Sequence, residues 1–159
     1  MYNTILLAAA LQRWDRYSAH ALAARELAQF IASNASKRLH VLSVYEYGFA
    51  ASTEISSTME AQILAEGRER TAKLMEQKLA EFIAPLKAAG LEVTATLRLG
   101  NPREVIVQVA GDIQADLLVI GSHSKRNILD VALGGTAQHV SRRAPCQVLF
   151  VSPKHKSLP

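Results

Sequence analysis

Five short apolar runs alternate with stretches of helical periodicity along the whole chain, and that alternation constrains the fold more than any other feature. The runs are Thr4 to Ala10, Leu39 to Tyr45, Leu91 to Leu97, Asp116 to Ile120 and Gln147 to Val151. Each has the length of a strand. The first and fourth are nearly continuous in apolar character, as central strands of a parallel sheet must be when both faces are covered. The third alternates, with Leu91, Val93, Ala95 and Leu97 on one side and Glu92, Thr94 and Thr96 on the other, which places it at an edge.

The intervening segments carry helical stripes. Ala23, Leu27, Phe30 and Ile31 line one face of a helix from about Tyr17 to Ala35, and Met75, Leu79, Phe82 and Leu86 line the end of a long helix that begins near Ser57. Gly90 is a stop for the long helix, and Pro85 in its last turns is a point of kinking or shortening. Asn101 followed by Pro102 reads as a cap and a first helical residue, with Val105, Ile106, Val109 and Ala110 as the apolar stripe behind them. A last helix spans about Gly135 to Arg142 and ends before Pro145.

Strand and helix in regular turn predict an α/β fold, with a five-stranded parallel sheet, helices on both faces and right-handed crossovers. Periodicity leaves the flavodoxin-like and Rossmann-like strand orders both open. Either order puts a ligand crevice beyond the carboxyl ends of the first and fourth strands, near Ala10 and Gly121.

Composition narrows the class. A chain of 159 residues, 49% hydrophobic, forms one domain with a core large enough to need no disulfide. Cys146, the lone cysteine, follows Pro145 at a strand start and reads as a small core residue. Lysine and arginine number 18 against 14 acids, a net charge of +4 that by itself invites a nucleic-acid partner. Much of that charge is interleaved with acids at helical spacing, as in Glu69 with Lys73, and no aromatic and basic stripe of the kind that stacks bases accompanies it. No nucleic-acid partner is therefore expected. No apolar run approaches the roughly 18 residues of a membrane span, and the apolar start from Met1 to Ala10 lacks the basic lead of a signal peptide. The expectation is a cytoplasmic protein without a membrane partner, built as one domain over residues 1–152 with a short basic tail over 153–159. The five histidines show no metal-ligand spacing, and no nucleophile elbow or glycine-lysine-serine phosphate loop occurs.

Binding chemistry concentrates after the fourth strand. Gly121-Ser122-His123-Ser124-Lys125-Arg126-Asn127 leaves that strand, and Leu133-Gly134-Gly135-Thr136-Ala137 opens the last helix. A glycine at a strand end lets backbone approach a ligand, and glycines at a helix start leave N–H groups at the positive end of the dipole, where a phosphate is held. Tight turns explain the same glycines. Lys125 and Arg126 are within reach of such a phosphate from the loop, or are solvated there.

Four blocks of the chain resemble the universal stress protein family. They are the opening Met-Tyr-Asn-Thr-Ile-Leu-Leu-Ala, Leu99-Gly100-Asn101-Pro102, the stretch from Ala115 to His123, and the closing Ala144-Pro145-Cys146-Gln147-Val148-Leu149-Phe150-Val151. The resemblance implies a Rossmann-like sheet of the adenine nucleotide alpha hydrolase type in the order 3-2-1-4-5, flanked by four helices. It also implies a homodimer made by antiparallel pairing of the last strands and a cytoplasmic role in stress response or survival.

Members of that family that bind ATP follow a pattern of glycine, two residues, glycine, nine residues, glycine, then serine or threonine. Gly121 takes the first position, Ser124 stands at the second glycine, Gly134 takes the third, and Gly135 stands where the hydroxyl residue belongs, with Thr136 one place later. ATP-binding members also carry an aspartate after the first strand, where this chain has Ala10. Val41 falls where the family packs an apolar side chain on adenine, and a buried strand valine is equally core. From these departures we expect a regulatory dimer that is not a conventional enzyme and acts through an unknown protein partner or a weak ligand. No tightly bound cofactor is expected, and ATP or AMP is the candidate ligand. The alternative is an ATP- or AMP-binding member with slow ATPase or autophosphorylating activity. An electron-transfer flavoprotein shares the fold class, but no residue pattern here favours flavin.

Overall fold

The computed structural model describes residues 2–11, 17–35, 38–47, 57–122, 125–127, 130–132 and 134–153. Ser124 and the tail from Lys154 to Pro159 lie outside the described residues. In chain order the elements are β1 (Thr4–Ala8), α1 (Ala19–Ala35), β2 (Arg38–Tyr45), α2 (Thr58–Ala88), β3 (Val93–Leu99), α3 (Pro102–Asp112), β4 (Leu117–Gly121), β5 (Lys125–Asn127), β6 (Asp130–Ala132), α4 (Gly135–Arg143) and β7 (Gln147–Val151).

Five strands form one parallel sheet in the order β3-β2-β1-β4-β7. This is the expected 3-2-1-4-5 arrangement, with β3 at an edge as its alternation required. The last strand is numbered seventh because a small antiparallel hairpin, β5 with β6, intervenes. Sequence reading passed over that hairpin, since three-residue strands are too short to display a period of two. The register is tied at the amino ends of β1 and β4. Asp116 Oδ2 accepts the backbone N–H groups of Asn3 (2.7 Å) and Thr4 (2.8 Å), and the Asp116 N–H donates to the Thr4 carbonyl at 2.9 Å. Ile5 then pairs with Leu117 and Ala8 with Ile120, which brings the carboxyl ends of the two strands side by side.

Alternation along each strand divides the core into two layers. Ile5, Leu7, Leu39, Val41, Leu117 and Val119 face α1 and α2, while Leu6, Ala8, Leu42, Val44, Leu118 and Ile120 face α3 and α4. The α2 stripe is buried as its spacing predicts, with Phe82 and Leu86 fully enclosed. That helix runs through Pro85 to Ala88 and closes in a Schellman turn. Gly90, at φ +81°, donates to the Lys87 carbonyl, and the Leu91 N–H reaches the Leu86 carbonyl. At the other end the Ser57 hydroxyl accepts the Glu60 N–H at 3.2 Å. Asn101 caps α3 through the Arg103 N–H at 3.0 Å, with Pro102 as the first helical residue.

The stripe assigned to α1 needs correction. Its fully buried line is Ala21, Ala24, Ala28 and Ala32, with Ala23, Leu27 and Ile31 flanking it half-buried and Phe30 66% exposed. Counting large apolar side chains misplaced the face because the helix turns its smallest side chains to the sheet, which allows close approach.

Candidate functional site

A crevice of about 310 Å³ opens at the carboxyl edge of the sheet. Ala8, Ala9 and Ala10 form its floor from the end of β1, Leu42 and Val44 one wall from β2, and Ile120 and Gly121 the other from β4. Three helices begin around it. Ser18, His20 and Ala21 come from the start of α1, Pro102 and Ile106 from α3, and Gly134 to Ala137 from α4.

Local sequence explains each contribution. Ser18 is the cap of α1, its hydroxyl accepting the Ala21 N–H at 3.1 Å. Gly121 ends β4 against α1 so closely that a Cβ would stand 2.8 Å from the His20 carbonyl oxygen. Gly134 begins α4 without a side-chain cap among the described residues. The first N–H groups of that helix therefore face the crevice rim in the manner that receives an oxyanion. The walls are apolar and none of the described lining residues is acidic or basic. The site can thus shield a flat apolar group while offering helix-start N–H groups, the Thr136 hydroxyl and the His20 ring to polar ones.

Of the residues singled out by sequence, Ala10, Gly121, Gly134, Gly135 and Thr136 are brought together at this crevice. Val41 is not. It is fully buried in β2 on the face turned to α1 and α2, and Leu42 and Val44 occupy the crevice wall in its place. In a strand apolar on both faces nothing in the residue types reveals which parity faces the ligand. Lys125 opens β5 opposite Ala132. Sequence reasoning did not find Ser18, His20 or Pro102 as lining residues. Ser18 carried a signal, a serine three places before the first buried alanine of a helix. The other two are joined to the site only by packing.

A second, polar cavity of about 290 Å³ adjoins the first and shares Gly135 with it. Arg103 from α3 and Gln138, His139, Arg142 and Arg143 from α4 complete its lining.

A doubly wound parallel sheet with an apolar crevice at its topological switch point, ringed by helix starts, defines a Rossmann-like ligand-binding α/β domain. The universal stress protein family model matches residues 1–152, and the chain belongs to that family. A universal stress protein of Thermus aquaticus is 32% identical over 151 residues, 95% of this chain and 99% of that protein. A universal stress protein of Methanocaldococcus jannaschii is 31% identical over 86 residues, a match that spans about half of each chain at 52% and 53%. The solved structure of that same protein superposes with a TM-score of 0.75 at 22% identity, covering 98% of this chain and 99% of that one. A family protein from Arabidopsis thaliana with AMP bound gives 0.66 at 18% identity (99% and 95% covered), and a universal stress protein in complex with cAMP gives 0.66 at 23% (96% and 99%). At these identities the structural likeness speaks for the fold. Among the described residues no helix is long and apolar enough to cross a membrane.

Proposed function

We propose that this protein is a regulatory universal stress protein of the cytoplasm that responds to an adenine nucleotide of the AMP class. It acts by binding and not by turnover. The observation that carries this reading is the crevice itself: apolar walls from β1, β2 and β4 stand directly beside the uncapped start of α4. The first can take a base and the second a phosphate. Structural relatives with AMP and cAMP bound support the ligand class. Ala10, where a carboxylate would be needed to help hold metal-bound phosphates, supports binding without hydrolysis.

Calorimetric titration with AMP, on protein first stripped of any carried nucleotide, is the test. One saturable site per chain is expected. Thr136→Glu should abolish it, because the new carboxylate sits well at a helix start and keeps the fold while repelling phosphate. No AMP binding to the stripped protein, or unchanged binding in the variant, would sink the reading.

The same proposal includes a homodimer through β7. That strand ends the sheet beyond β4 with its outer edge open, and Val148, Leu149 and Phe150 are half-buried within one chain. Apolar edge strands left open invite pairing. Sedimentation at micromolar concentration should give about twice the 17.3 kDa of one chain, and a monomer there would remove the dimer.

A further inference from the structure

We propose that the polar cavity between α3 and α4 is a phosphate site whose principal ligand is Arg103, positioned to take the distal phosphate of a nucleotide seated in the neighbouring crevice. The nucleotide part rests on the reading above, while the phosphate site stands on its own geometry.

Three arginines and His139 line this cavity, and no acidic residue does among the described residues. Arg142 and Arg143 have an ordinary explanation, since they occupy the last turn of α4, where cations complement the helix dipole. Arg103 does not. It lies in the first turn of α3, and its guanidinium rests against Gly135, the first residue of α4, so closely that a Cβ on Gly135 would collide with Nη2. A permanent cation thus sits between two helix starts, each carrying partial positive charge. The ion pair found among the described residues joins Lys73 to Glu69, far along α2, and Glu104 beside Arg103 is not part of the cavity lining.

Like charges brought together in this way are reconciled by an anion. A phosphate placed there would accept the two-pronged guanidinium donors of Arg103 and lie at the start of α4. Gly135 is what makes the arrangement possible, because any side chain at that position would take the space the guanidinium fills. Gly135 also borders both cavities, which makes them continuous at the point where the phosphate chain of a nucleotide would pass. The ligand class that follows is a nucleoside di- or triphosphate bound without a metal ion, the arginines supplying the positive charge.

The test uses the full chain in EDTA, with pyrophosphate, AMP and ADP titrated into the wild type, Arg103→Gln and Arg103→Lys. Wild type should bind pyrophosphate, and Arg103→Gln should weaken it by about tenfold or more, with Arg103→Lys intermediate because it keeps charge but loses the fork. ADP should bind the wild type about tenfold more tightly than AMP, and that ratio should fall toward one in Arg103→Gln. Thermal unfolding followed by circular dichroism shows that the variants are folded. Pyrophosphate that does not bind the wild type, or binds Arg103→Gln equally well, overturns the site. ADP binding no better than pyrophosphate keeps the Arg103 site but assigns it to free phosphates, and removes the nucleotide from the crevice.

Discussion

Gly121, the last residue of β4, lies so close to His20 in α1 that a Cβ added to it would stand 2.8 Å from the His20 carbonyl oxygen and 2.9 Å from the carbonyl carbon. The contact seats the start of α1 on the end of the central sheet and builds one corner of the crevice. The neighbour is backbone, so it cannot swing aside as a side chain could. Gly121→Ala should therefore destabilise the protein by about 1–3 kcal/mol through overpacking, and weaken AMP binding as α1 is pushed outward. Urea unfolding followed by fluorescence measures the first effect and calorimetry the second. An alanine variant of wild-type stability would show that α1 is free to move.

The Asp116 carboxylate, which accepts N–H groups from both Asn3 and Thr4, fastens β1 to β4 at the opposite end of the sheet. Asp116→Ala leaves both donors without this partner, and one of them, on Thr4, is in a nearly buried residue. A loss of about 2–3 kcal/mol is expected, in the range for hydrogen bonds to a charged group. Asp116→Asn keeps an acceptor oxygen and should recover part of it. The midpoint of urea unfolding should move while its slope stays constant.

Acid should weaken the fold through His40. Its Nε2 lies 2.7 Å from Thr96 Oγ1, and burial first, then the charge of Arg98, hold the ring below its ordinary value of 6.5. Because the unfolded chain takes up this proton more readily, stability falls as pH drops through 6.5 and levels off below the depressed folded value. His40→Gln should flatten that portion of the stability profile between about pH 7.5 and 5. Equal pH dependence in the two proteins would show that His40 does not carry it.

Cys146 should be a poor nucleophile. Burial and then the nearby Asp116 carboxylate push its thiol above the ordinary 9.0. Less thiolate is present at pH 8, so alkylation by iodoacetamide should be several-fold slower in the native protein than in urea. Equal rates in the two states would contradict the half-buried placement found here.

Much of the architecture was legible before any coordinate was known. Continuous apolar runs marked β1 and β4 as interior strands, and the alternation from Leu91 to Leu97 marked β3 as an edge. Asn101 with Pro102, and Gly90 after Ala89, marked helix ends whose hydrogen bonds are local and so are written locally. The crevice was legible as a location, beyond Ala10 and Gly121, because strand order in such sheets dictates it. Its walls were less so: Val41 and Leu42 are chemically alike, and only the register of β2 against β1 decides that Leu42 faces the site.

What the sequence by itself determined is the set of elements, their order and the place where a ligand could sit, since each follows from periodicity and capping within a few residues of chain. Tertiary structure alone decided three things. It turned the alanines of α1, and not Phe30, toward the sheet. It joined Asp116 to the start of β1. And it laid Arg103 on Gly135, 32 positions further along the sequence, where a missing Cβ leaves room for a cation between two helix starts. Those relationships arise from packing between elements distant in sequence, which no local pattern records.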